Sequence, residues 1–273
     1  MNLKIVMVEG PHDGAFISKV MQVNGYKTYK RPIKEYQPKF IADYLSNQYK
    51  KAPVDEFNVQ SVRQQILFPS YSLFLEEKLI LIFQMGGDSR ADRRNKLVKD
   101  IWDFLQNPLT AETISESDKI TFVYEFDADD QGISNRLTQI NTEIQSVDST
   151  FKGFDANTTY VELNKIRWGA YIFADDSGKG RLEDIVLPMM ESDNEDVAKD
   201  TIDFVEKRNG FALFKEKKPL TPANVLKVRI GVMGQLDKPG CPNSAIIEQS
   251  DYLTEAKIKA SDICNQLFNF LNS

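Results

Sequence analysis

Two kinds of apolar pattern alternate along the first two thirds of this chain. Leu3–Val8, Leu79–Met85, Lys119–Phe126 and Trp168–Phe173 are near-continuous apolar runs, as strands buried on both faces require. Segments with a 3.6-residue period stand between them. Phe16, Ile17, Val20 and Met21 predict a helix after Pro11, a residue suited to a first helical turn. Leu97, Val98, Ile101 and Leu105 predict a second over about 91–105. Ile133, Leu137, Ile140, Ile144 and Val147 give the clearest helical period in the chain. Tyr71–Leu75, the turn Glu76-Glu77-Lys78 and the run from Leu79 read as strand, turn and strand. Strands alternating with helices predict an α/β fold, a doubly wound and mainly parallel sheet flanked by helices.

The remainder is less regular. Residues 26–53 are basic and aromatic and are interrupted by Pro32, Pro38 and Pro53; they predict one short helix around Lys39–Tyr49. Further helices are expected over Leu182–Met190, Glu195–Arg208, about Ala223–Val232, and Glu255–Leu271. The expected organisation is an α/β part over 1–190, with a basic and aromatic insertion at about 26–70. A helical C-terminal extension, 191–273, would pack on the same domain.

Composition narrows the function classes. An apolar fraction of 41% over 273 residues is enough for a packed core. No apolar run reaches membrane-spanning length, and Met1-Asn2 leads straight into a strand without a basic leader, so a cytoplasmic chain is expected. The formal charge of −6 removes a global positive field for nucleic acid. His12 is the only histidine, and Cys241 and Cys264 are the only cysteines, which excludes multi-histidine and four-thiolate zinc sites. Neither a Walker A sequence nor a Gly-x-Gly-x-x-Gly fingerprint occurs, so ATP and dinucleotides have no support.

Candidate chemistry lies at two strand ends. Glu9-Gly10 follows the first apolar run, and Asp127-Ala128-Asp129-Asp130-Gln131-Gly132 follows the third. Strand ends of open α/β sheets are where sites sit. Clustered carboxylates repel, and a hard cation such as Mg²⁺ is the usual reason to gather them. If the segment stays extended, Asp127 and Asp129 point to one side and can share an ion, with Asp130 left to cap the helix. Glu9 alone equally suits a solvated acid favouring the next helix N-terminus. Gly86-Gly87, with Asp88, Ser89 and Arg90, reads either as a phosphate-binding turn or as a tight strand-to-helix turn. Arg90, Arg93, Arg94 and Lys96 form a local basic patch that could hold nucleic-acid phosphates, or simply a solvated helix face.

Glu9-Gly10 and Asp127-x-Asp129-x-x-Gly132, in this order and each after an apolar strand, resemble the Toprim domain of topoisomerases, bacterial primases and overcoming-lysogenization-defect nucleases. The resemblance covers roughly 1–190. Gly86-Gly87, Gly180-x-Leu182-Glu183-Asp184 and the helical tail are most similar to small stand-alone Toprim-like bacterial proteins, which carry no established activity. The resemblance implies Glu9 as general acid/base or metal ligand, Asp127 and Asp129 as ligands to Mg²⁺ or Mn²⁺, and Glu183 as a further acid. Asp13 stands at the Glu-x-x-x-Asp spacing of the lysogenization-defect branch, where it would serve a metal.

The implied function is metal-dependent phosphodiester chemistry on nucleic acid. The chain is too short for a topoisomerase strand gate and lacks the zinc and ATPase modules of other Toprim enzymes. Two alternatives stand: a non-catalytic Toprim-like binding or regulatory module, and a metal-dependent phosphatase for a small phosphorylated substrate. A homodimer and a separate protein partner are both compatible with the apolar C-terminal helices.

Overall fold

The apolar runs pair into one sheet. The computed structural model describes residues 1–50, 67–87, 89–106, 115, 118–208 and 220–273. Expectations for Pro53, Asp88 and the 51–66 part of the insertion lie outside the described residues. The strands are β1 (Asn2–Val8), β2 (Lys27–Thr28), β3 (Tyr71–Leu75), β4 (Lys78–Gln84), β5 (Lys119–Asp127), β6 (Thr159–Leu163) and β7 (Ile166–Phe173). Their order is β2-β3-β4-β1-β5-β7-β6. The central strands β4, β1, β5 and β7 are parallel, as their apolar runs require. Antiparallel β3 with β2 closes one edge and antiparallel β6 the other.

The helices are α1 (Pro11–Val23), α2 (Lys39–Lys50), α3 (Ala91–Gln106), α4 (Ile133–Val147), α5 (Leu182–Glu191), α6 (Glu195–Arg208), α7 (Pro222–Asp237), α8 (Asn243–Gln249), α9 (Glu255–Ala260) and α10 (Asp262–Asn272). Successive strand residues point to opposite faces, and this splits the core in two. On one face Leu3, Ile5, Met7, Phe122, Tyr124 and Phe126 pack with Phe40 of α2, Leu97 and Ile101 of α3, and Ile140 and Ile144 of α4. On the other Val6, Val8, Val123, Tyr171 and Phe173 pack with Phe16 and Val20 of α1 and Val186 of α5. Ile230 of α7, Ile246 of α8, Ile258 of α9 and Leu267 of α10 join this second core, so the C-terminal helices cover that face.

Neighbouring strands β1 and β5 are followed by helices on opposite faces, α1 on one and α4 on the other. Their carboxyl ends therefore form a topological switch point, the place where open α/β sheets bind ligands.

Several elements depart from expectation, among them the unexpected β2 and α8. β6 forms by pairing with β7, and its half-exposed residues carry no apolar run. The expected last helix is broken at Ser261, whose hydroxyl accepts the Cys264 amide and starts α10. Helix α4 starts from Gly132, with no side-chain cap, and Asp130 takes no capping role. Among the described residues, no helix is long and apolar enough to cross a membrane.

Candidate metal centre

Glu125 and Asp127 share one side of β5, two residues apart, the side that packs on α1. Helix α1 begins just after β1 and carries Asp13 on its first turn, facing back to the sheet. Its Oδ2 accepts the Gly10 amide at 2.6 Å, which fixes the carboxylate over the strand ends. Asp13, Glu125 and Asp127 each offer an oxygen within 4.8 Å of the others, a spacing that suits one cation.

Partners differ sharply within this trio. Asp127 Oδ1 accepts the Leu182 amide at 2.8 Å, at the N-terminus of α5. Glu125 is 1% exposed, and neither carboxylate oxygen has a hydrogen-bond partner of ordinary length. Burial above all, then the charges of Asp13, Asp127 and Glu9, drives the Glu125 pKa well above the usual range, with slight relief from the Glu9 amide. Asp127 is raised by burial first and by Asp13 and Glu9 next, against the Leu182 hydrogen bond. Asp13 rises to about 6, chiefly through burial, with the Gly10 amide opposing and Glu183 adding repulsion. Three acids that resist ionisation together would each be eased by a cation placed among them.

The acids singled out from the sequence separate into groups. Glu9 stands at the rim, where its Oε1 meets the Asp127 amide at 3.3 Å. Glu183 is buried beside the trio but spoken for: His12 Nδ1 lies 2.9 Å from its Oε1 and Lys227 Nζ 3.6 Å from the same atom. Burial opposes its ionisation, yet the His12 hydrogen bond and the Lys227 charge hold its pKa below the usual range. Asp129 is turned away. The extended geometry ends at Asp127, because Asp129 has φ of 49° and forms an isolated antiparallel bridge with Gly180 in the loop after β7. Its carboxylate lies between Arg136 and Arg181, the latter at 2.5 Å. The structure thus gathers Asp13, Glu125 and Asp127, with Glu9 and Glu183 beside them, and commits Asp129 to arginines.

Sequence reasoning missed Glu125. The available signal was a glutamate inside an apolar strand run, two residues before Asp127. Such a residue must face a core or a site.

The basic patch also resolves. Arg94 is 1% exposed and forms a two-pronged pair with Glu143, at 2.8 Å for both contacts. Arg93 donates to the Met85 carbonyl at 3.0 Å. Arg90 pairs with Asp92 and Lys96 with Asp100. The Gly86 and Gly87 amides both donate to the Glu9 carbonyl, at 2.9 and 2.8 Å. With φ of 92° and 106°, these glycines make the tight turn, and their amides are engaged there rather than offered to a phosphate.

The fold and site define an α/β protein with a buried carboxylate cluster at the carboxyl ends of its central parallel strands. The chain belongs to the family described as protein of unknown function DUF3226, which matches residues 3–273. It is also similar to the crystal structure of hypothetical protein PH0156 from Pyrococcus horikoshii OT3, at 16% identity and a TM-score of 0.53. That similarity covers 100% of this chain and 95% of the other, and it concerns the fold. No curated protein matches the chain.

Proposed function

We propose that this chain is a Toprim-like protein whose carboxylate cluster binds Mg²⁺ or Mn²⁺ for phosphodiester chemistry on nucleic acid. The observation that carries this reading is Glu125. A fully buried carboxylate with neither oxygen in a hydrogen bond of ordinary length, beside two further acids, is costly to ionise and gains most from a divalent ion. Asp13, Glu125 and Asp127 would hold the ion. When bound, such an ion supplies Lewis acidity toward a phosphate oxygen. Glu9, at the rim of the cluster, moves a proton to or from the attacking water or the leaving oxygen. The Leu182 amide steadies Asp127, and the Gly10 amide steadies Asp13.

A second reading has its own support. Of the four cations of the expected patch, Arg94 is buried on Glu143, Arg90 and Lys96 pair with acids and Arg93 donates to a carbonyl, so they offer little uncommitted positive charge to a polynucleotide. This favours a small phosphorylated substrate at the same centre.

Calorimetric titration with Mn²⁺ tests the site. Wild type should bind, Glu125→Gln should weaken binding by at least roughly tenfold, and Asp129→Asn should stay close to wild type. Absence of Mn²⁺ binding in wild type, or loss in Asp129→Asn with retention in Glu125→Gln, would refute it. Mn²⁺-dependent turnover of polynucleotides against small phosphate esters then separates the two substrates.

A further inference from the structure

We propose that Lys227, on the C-terminal helix α7, is an anion-binding residue that receives the phosphate of the substrate. The proposal rests on the phosphoester reading above and assigns a site role to the helical extension.

Helix α7 is fixed against its neighbours at this point. The Asn243 side chain donates to the Lys227 carbonyl at 2.8 Å, which ties the helix to α8. At Gly234 a Cβ would lie 2.3 Å from Ile246, so only glycine allows this approach. Arg229 pairs with Glu191 at the far end of α5. The backbone of Lys227 is thus held while its side chain, 47% exposed, reaches toward the carboxylate cluster.

The contact it makes there is incomplete. Its ion-pair partner among the described residues is Glu183, at 3.6 Å, beyond hydrogen-bond length. The same Glu183 oxygen lies at hydrogen-bond distance from His12 Nδ1. The three donors of the ammonium are therefore uncommitted among the described residues. Glu183 is 4% exposed and adds its charge to Asp13 and Asp127, so it belongs to the edge of the same centre. An ammonium poised there, with an oxygen-seeking head and a solvated stem, fits a phosphate lying over the cation site.

The test titrates inorganic phosphate into the full chain, with and without saturating Mn²⁺, by calorimetry. The variants are Lys227→Met, which keeps the stem, and Lys227→Arg, which keeps the charge. Lys227→Met is expected to weaken phosphate roughly tenfold, to leave Mn²⁺ affinity unchanged, and to keep the wild-type melting temperature. Lys227→Arg should retain most of the affinity. Equal phosphate affinity in Lys227→Met and wild type, or no phosphate binding by wild type in either condition, overturns the proposal. Failure to bind Mn²⁺ would instead strike the metal reading, and the Lys227 dependence of phosphate binding without the ion would still decide this one.

Discussion

Replacing Asp13 by Asn isolates the electrostatic cost of the carboxylate cluster. Asparagine keeps an oxygen for the Gly10 amide, so the start of α1 is preserved. The charge is what changes. The folded state holds Asp13 at about 6 against 3.8 for an ordinary aspartate. A raised carboxylate favours the folded state below the ordinary value and loses that advantage as pH climbs through the folded value. Between about pH 4 and pH 7 wild type therefore forfeits on the order of 3 kcal/mol that the variant never had to lose. Without divalent ions, Asp13→Asn should match wild type near pH 4 and exceed it near pH 7. For a chain of this size the gap corresponds to roughly 5–10 °C in melting temperature. Saturating Mn²⁺ should reverse the order at pH 7, because only wild type then offers the full ligand set. Melting followed by circular dichroism, in chelator and in Mn²⁺, reads both effects. A difference between variant and wild type that stays constant from pH 4 to pH 7 would refute the reasoning, because removing the Asp13 charge also eases the ionisation of Glu125 and Asp127 and so only widens the gap as pH rises.

Two further outcomes concern the frame. Arg94→Leu strands Glu143 in the core and should destabilise the protein by about 3–5 kcal/mol in urea unfolding; a loss under about 1 kcal/mol would mean the pair behaves as a surface salt bridge. Gly234→Ala forces a methyl group into Ile246 and should cost about 1–3 kcal/mol. A second change, Ile246→Ala, should show less than additive damage on that background, and strict additivity would deny the contact.

The strands and most helices were legible because each rests on a local period. The α4 stripe Ile133, Leu137, Ile140, Ile144 and Val147 marks a helix ending where the pattern ends. Glu9, Asp13 and Asp127 were legible as strand-end and helix-start acids. What failed was non-local or conformational. Arg94 belongs to a charge run, and its burial depends on Glu143, 49 residues away. Asp129 follows the i, i+2 rule on paper, but one left-handed residue turns it to Arg136 and Arg181. Glu125 obeys the same alternation as Asp127, yet reading the run as uniformly apolar concealed it. Strand β6 exists because β7 offers an edge, which its own sequence does not announce.

The treatment of other buried acids gives Glu125 its weight. Where an acid serves only structure, this protein supplies a guanidinium: Arg94 grips Glu143, and Arg136 reaches round the end of β5 to Asp129 while also donating to the Asp127 carbonyl. Those arginines stack within 4.7 and 5.8 Å of the Phe126 ring, on the face opposite Glu125. A cation is thus provided wherever the fold must neutralise a carboxylate on that side. On the α1 side His12 and Lys227 attend Glu183, while Asp13 and Asp127 have only backbone amides as hydrogen-bond donors and neither Glu125 oxygen has a hydrogen bond of ordinary length. A packing role would be served at lower cost by glutamine or leucine at position 125. The cluster fits the proposed site, whose neutralising charge would come from outside the chain, and Glu125, rather than the Asp-x-Asp pair, is the residue on which that metal reading stands or falls.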